Sequence, residues 1–231
     1  VPDIIEDEEL RDRVYVFRDR PDAGRCLARF LKEHLQFTTP VVCAIPAGGV
    51  PIGLEVAREF GAPMVPAVVR KLRIPWNPEA GFGAVTWDGR VLYNEKLMRS
   101  MRLTGKEIDA ALEISRENVR ERLHKFTGDA PLPSLNEREV ILTDDGLASG
   151  YTMRAAVEAV REQKPLSVIV AVPTGSLSTA RWLAPFTDSL VCLNVRTSYS
   201  FAVADAYKQW HDLHDDEVVT LLRQAKEEGL V

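Results

Sequence analysis

Val140-Ile141-Leu142-Thr143-Asp144-Asp145-Gly146-Leu147-Ala148-Ser149-Gly150-Tyr151-Thr152-Met153 reads as an apolar strand, two adjacent carboxylates, a turn of small residues and the start of a helix. In open α/β sheets ligands bind at the carboxyl ends of the strands, where this turn would sit. Small residues let backbone N–H groups wrap an anion, and the helix N-terminus adds partial positive charge. The hydroxyls of Ser149 and Thr152 can join the same phosphate. Asp144 and Asp145 cannot face that anion, so they address neutral hydroxyls or a cation. A sugar phosphate meets both demands, with its phosphate in the loop and its diol on the carboxylates. The plainer reading makes the two acids caps of the turn and helix, but there they would repel each other with little return.

Outward from this segment, short apolar runs alternate with amphipathic stretches, the pattern of an α/β domain with a mostly parallel sheet. Strands are expected over Val41–Ile45, Val65–Arg70, Val140–Thr143, Leu166–Val172 and Leu190–Val195, making a five-stranded core. Helices are expected near Pro51–Phe60, Thr152–Gln163, Leu177–Leu183 and Asp215–Lys226, the last with Asp215 as N-cap. Pro51 suits a first helical turn and Gly61 a stop. Val85–Trp87 and Val91–Tyr93 flank Asp88-Gly89, a hairpin signal. Thr104-Gly105-Lys106-Glu107 is a capping box opening a long helix that Gly128 ends. Its stripe from Ile108 to Phe126 is core or dimer packing. Between Lys71 and Gly83, Pro75, Pro78 and Gly81 predict an irregular segment.

The 231 residues are 45% hydrophobic and 27% charged, ordinary globular composition that sets aside disorder and fibrous repeats. The length suits a single domain, residues 1–231, with a core of about 36–195, an N-terminal segment 1–35 and a C-terminal arm 196–231. A net charge of −5 offers no bulk attraction to nucleic acid or anionic lipid. No apolar run approaches the roughly 20 residues of a membrane span. The acidic N-terminus lacks the basic-then-apolar order of a signal peptide. Cys26, Cys43 and Cys192 are odd in number, and the last two lie in apolar runs. Reduced thiols in a cytoplasmic protein are the expectation.

Residues 140–153 resemble the signature for 5-phosphoribosyl 1-pyrophosphate (PRPP) in type I phosphoribosyltransferases. The wider chain is similar to a subgroup of that family whose acceptor is unassigned. Phe17-Arg18-Asp19-Arg20-Pro21-Asp22-Ala23-Gly24, Ile45–Pro51, Val69–Val85, Ala171-Val172-Pro173 and Phe201-Ala202-Val203 carry that similarity. It implies a type I phosphoribosyltransferase-like α/β core, its mostly parallel central sheet flanked by helices. A flexible lid/hairpin and a small hood from the terminal segments complete the implied fold. The implied reaction is Mg²⁺-dependent transfer of the phosphoribosyl group from PRPP to a nitrogenous acceptor, releasing pyrophosphate. Asp144 and Asp145 would hold the ribose diol and be the catalytic pair, and Ala148, Ser149, Gly150, Tyr151 and Thr152 the 5′-phosphate. No side chain is expected to bind the metal directly; Mg²⁺ arrives with the substrate, assisted at most by the two acids. A homodimer is implied, with neither nucleic acid nor membrane as partner.

Pro46-Ala47-Gly48-Gly49-Val50-Pro51 stands at the family's pyrophosphate loop, with Ala47, Gly48 and Gly49 as ligands. The subgroup usually carries Arg where this chain has Ala47, so backbone donors must suffice there. Arg70-Lys71 ends the second expected strand, where two cations side by side suit a diphosphate. The segment Arg73–Gly83 takes the place of the family's flexible loop without its Lys-x-His-Gly element. Those departures keep open a non-catalytic PRPP or nucleotide regulator on the same fold. His211-x-x-His214 with nearby Asp residues has no third soft ligand in metal-site spacing. Tyr199, Phe201, Tyr207 and Trp210 form either an aromatic hood over the acceptor or an anchor for the C-terminal arm.

Overall fold

The computed structural model describes residues 4–74, 76–128 and 130–231, with side chains for these except residues 77–80. The chain runs β1 (Ile4–Ile5), α1 (Arg20–His34), β2 (Pro40–Ala44), α2 (Gly49–Phe60), β3 (Met64–Pro66), β4 (Val69–Ile74), β5 (Asn77–Thr86) and β6 (Val91–Tyr93). It continues through α3 (Glu95–Met101), α4 (Gly105–Thr127), β7 (Glu139–Thr143), α5 (Tyr151–Glu162), β8 (Ser167–Ser176), α6 (Leu177–Leu183), β9 (Ser189–Arg196) and α7 (Asp215–Glu227).

Six strands form one parallel sheet in the order β1-β9-β8-β7-β2-β3. Its central strands are apolar at nearly every position because both faces are covered. Val42, Ala44, Ile141, Ile169, Ala171 and Val191 face α1, α2 and α7. Val41, Cys43, Val140, Leu142, Val170 and Cys192 face α5 and α6. Burial pushes the Cys43 thiol up to about 12, so it stays protonated in the core. The strand order reverses between β2 and β7. Their carboxyl ends carry residues 45–49 and 144–152, so the sheet's switch point brings both expected phosphate loops to one crevice. No helix among the described residues is long and apolar enough to cross a membrane.

Three expectations about the strands change. The core has a sixth strand, because Ile4 and Ile5 pair with Leu190 and Val191 on β9. The run 65–70 is two strands in two sheets: Pro66 ends β3, and Val68 N–H folds back to the Pro66 carbonyl in a tight turn. From there β4 joins an antiparallel sheet, β4-β5-β6. The segment 71–83 is therefore largely strand rather than irregular; shifts of register at Leu72/Arg73 and Arg73/Ile74 absorb its breaks while Leu72, Ile74 and Phe82 are buried. Pro75 and the side chains of Pro78 and Glu79 lie outside the described residues.

The hairpin about Asp88-Gly89 and the capping box of α4 both form. Thr104 Oγ1 accepts from Glu107 N–H while Glu107 Oε2 accepts from Thr104 N–H, which starts a 23-residue helix. Ile108, Leu112, Val119, Leu123 and Phe126 along it pack on the core. Asp215 is not the N-cap of α7. His214 takes that position, its N–H bonded to Glu217 Oε2, because the Asp215 carboxylate is drawn to Arg122.

Candidate active site

Strand β7 ends at Thr143 and sets Asp144 and Asp145 on the crevice floor. Asp145 N–H donates to Asp144 Oδ1 at 2.8 Å, which ties the two carboxyls into one unit. Burial, and then the neighbouring charge of Asp145, hold Asp144 well above the ordinary carboxylate range. Burial also raises Asp145, against the pull of Arg20. With 16% of its side chain still exposed, Asp145 remains within reach of a ligand. Burial and like charge thus favour the protonated carboxyl here, and a nearby positive charge would shift the pair toward the ionised form.

Arg20, the second residue of the Asp19-Arg20-Pro21 entry to α1, supplies the counter-charge. Its Nε donates to Asp145 Oδ2 at 2.9 Å, its Nη1 donates to the His211 carbonyl at 2.9 Å, and Trp210 lies 3.8 Å from its guanidinium carbon. The side chain is 7% exposed. Tyr207 OH donates to the Asp145 carbonyl at 2.6 Å, and burial, followed by the Asp145 charge, keeps that phenol protonated. Of the four aromatic residues, Tyr207 and Trp210 therefore anchor the C-terminal arm, whereas Tyr199 is fully exposed.

The loop after the acids forms as a cradle. Leu147 bonds with β8 at both ends, its N–H to the Thr174 carbonyl and its carbonyl from Ser176 N–H. The next three N–H groups, of Ala148, Ser149 and Gly150, find no acceptor among the described residues. Gly150 turns the chain into α5 at φ +77°, and a Cβ there would lie 2.7 Å from Thr179 Cγ2. No side chain caps α5, so the N–H groups of Tyr151 and Thr152 also face the crevice edge. The hydroxyls of Ser149 and Thr152 have no partner among the described residues. Tyr151 contributes only its backbone, since its phenol accepts from Asn94 Nδ2 at 2.6 Å and its ring packs at a tilt against Trp182, centroids 5.2 Å apart.

The Ala47–Gly49 loop packs directly on the acids. A Cβ on Gly48 would collide with the Asp145 carboxylate, and one on Gly49 would lie 2.7 Å from the Thr143 carbonyl oxygen. The Pro46–Ala47 peptide is cis. Val50 N–H bonds the Ala47 carbonyl and Gly49 N–H the Ile45 carbonyl, leaving the N–H groups of Ala47 and Gly48 without a partner among the described residues.

Arg70 and Lys71 are not side by side in space, because successive residues of a strand point to opposite faces. Arg70 is half-buried and lines a cleft with Ala47. Lys71 is exposed, its stem lying against Gly81.

Sequence reasoning missed the ionic roles of Arg20 and Arg122. Arg20 was visible only as part of a resembling stretch, and Arg122 shares the buried stripe of α4 with Ser115, Val119 and Phe126, where spacing names no charge partner. It also missed Arg196 at the carboxyl end of β9, which is buried with Nε and Nη1 unpartnered among the described residues.

A family model described as phosphoribosyl transferase domain matches residues 18–203. The Mycobacterium tuberculosis H37Rv protein named "Putative phosphoribosyl transferase Rv0571c" is 36% identical over 210 residues, covering 91% of this chain and 47% of that protein. Its CDC 1551 counterpart, MT0597, gives the same figures, so the chain spans about half the length of the curated relatives it matches. The crystal structure of TT1426 from Thermus thermophilus is 32% identical and superposes with a TM-score of 0.76, covering 90% of this chain and 98% of that one.

Proposed function

Because the chain belongs to the phosphoribosyl transferase domain family, we propose that it transfers the 5-phosphoribosyl group from PRPP to a nitrogenous acceptor and releases pyrophosphate. The observation that carries this reading is the meeting, at one switch point, of a buried acidic pair with two loops of unpaired N–H groups. The cradle from Ala148 to Thr152 holds the 5′-phosphate with backbone donors, two hydroxyls and the field of α5. Asp144 and Asp145 accept hydrogen bonds from the 2′- and 3′-hydroxyls. As the C1′–diphosphate bond breaks, positive charge grows on the ribose. That charge favours the ionised form of the acidic pair, so the carboxylates stabilise the transition state more than the ground state.

Backbone of Ala47–Gly49 and the Arg70 guanidinium receive the diphosphate, with Lys71 adding charge next along β4. Mg²⁺ suits this donor set of carboxylate oxygens as a hard cation held chiefly by the substrate's own phosphates, and when bound it would neutralise diphosphate charge. Positioning and charge stabilisation carry the reaction. The same reading places the protein in the cytoplasm as a homodimer; thiols buried at Cys43 and Cys192 suit a reducing compartment.

Calorimetry tests it: PRPP with Mg²⁺ binds in the micromolar range, and Asp144→Asn/Asp145→Asn abolishes the heat. Unchanged binding in the double variant refutes the reading. Ala47, which brings no cation to the loop, favours a second reading, a PRPP-binding regulator without turnover. Pyrophosphate release on incubation with PRPP and a panel of bases separates the two.

A further inference from the structure

Beside the Ala47 loop lies a cleft of about 570 Å³ that the acidic pair and the phosphate cradle do not line. Its walls carry Ala47, Arg70, Arg122, Lys125, Asp215 and Asp216. Cations from two elements converge here. Arg70 comes from β4, while Arg122 and Lys125 lie one turn apart on α4. Bringing guanidinium groups together away from water is unfavourable unless an anion joins them.

For Arg122 that anion is Asp215, the first residue of α7. Arg122 Nη2 donates to Asp215 Oδ1 at 2.7 Å, and its Nε lies 3.1 Å from both carboxylate oxygens. Arg122 is 8% exposed. Lys125 Nζ pairs with Asp216 Oδ1 at 2.7 Å, nearer solvent. Although burial works against it, the Arg122 hydrogen bonds hold the Asp215 carboxyl below its ordinary range.

Arg70 has no such partner among the described residues. Its guanidinium makes one long hydrogen bond there, to Asn118 Oδ1 at 3.5 Å, and no ion pair. Burial first, and then the Arg122 charge, depress its affinity for the proton. Two guanidinium groups therefore draw on one carboxylate from a different element: Asp215 is bonded to Arg122 and acts on Arg70 only through its longer-range charge. A diphosphate presents several anionic oxygens on two phosphorus centres, enough to engage both guanidinium groups at once.

We propose that this cleft is the diphosphate end of the substrate site. Arg70 and Arg122 hold the pyrophosphoryl group in place of the cation that Ala47 does not supply, and Asp215 is a resident counter-ion that the incoming diphosphate replaces on Arg122. The inference rests on the phosphoribosyl-transfer reading and assigns its leaving-group subsite to residues of α4 and α7. No bond is made or broken in the exchange; one anion substitutes for another on a fixed cation.

Two probes keep the inference separable from that reading: inorganic pyrophosphate with Mg²⁺, and ribose 5-phosphate, each titrated calorimetrically into the full chain. Asp215→Asn removes the competing charge and is expected to tighten pyrophosphate several-fold. Arg122→Gln/Asp215→Asn removes both partners of the ion pair together, and is expected to weaken pyrophosphate at least tenfold while ribose 5-phosphate changes less than twofold. Pyrophosphate affinity that is the same in both variants and the parent, with ribose 5-phosphate still bound, overturns the subsite and leaves the transfer reading standing. Failure of the parent protein to bind either probe overturns both.

Discussion

Replacing Arg20 with Met removes the counter-charge of the acidic pair while keeping most of the side-chain volume. The Arg20–Asp145 pair is closed at 2.9 Å with side chains 7% and 16% exposed, so solvent screens it little. Removing one partner of a buried pair costs about 3–5 kcal/mol, because the surviving charge is stranded. Loss of the bond to the His211 carbonyl and of the Trp210 contact adds to this, though the terms share one side chain and do not sum. We expect a loss of about 4 kcal/mol at pH 7.5; with about 2–4 °C per kcal/mol for a chain of this size, the thermal midpoint falls by about 8–16 °C.

The pH dependence identifies the cause. Burial already raises the Asp145 carboxyl, and Arg20 is the strongest influence pulling it down. Without Arg20 it rises further, so the folded state prefers the protonated form over a wider range. Near pH 4 the folded carboxyl is protonated and the unfolded one about half so, which leaves only a small penalty. It grows as pH climbs past the ordinary carboxylate value. Thermal melts at pH 4.5 and 7.5 should therefore show a gap between parent and variant that widens with pH, and Arg20→Met/Asp145→Asn should recover more than half of it. A gap equal at both pH values, or no recovery in the double variant, refutes the electrostatic account and leaves only packing.

Asp144→Asn keeps an acceptor for Asp145 N–H and removes the charge that burial disfavours. Because the raised Asp144 carboxyl weakens the fold as pH rises through it, the variant should melt at least about 2 °C higher at pH 8, with the gain shrinking toward pH 4, while PRPP binding is lost. Gly49→Ala places a Cβ 2.7 Å from the Thr143 carbonyl oxygen and 3.0 Å from Asp144 Cα, both backbone atoms that cannot swing aside. Urea unfolding should show a loss of about 1–3 kcal/mol, together with weaker pyrophosphate binding.

Features legible in the chain are those that near neighbours along it enforce. The capping box at Thr104 and Glu107, the Asp88-Gly89 turn and the strand–acid–loop–helix run from Val140 are encoded within a few residues, by sterics and short hydrogen-bonded rings. The unbroken apolar strands required cover on both faces, and so the α/β class. Even locally, one pattern can serve two structures. Val65–Arg70 is a single apolar run, and only the competition between two sheets for its backbone divides it at Pro66.

Which charges meet depends on the assembled sheet. Arg20 and Asp145 are 125 residues apart, and Arg122 and Asp215 are 93 apart. Among 29 cationic and 34 acidic residues, nothing in composition or spacing selects these pairs. The selection comes from loops brought to one sheet edge, where low exposure makes an unmatched charge costly and fixes the partner that relieves it. The acids of the phosphate motif could be read from the chain; their counter-charge, and the cleft beside them, exist only once the strands have packed in order.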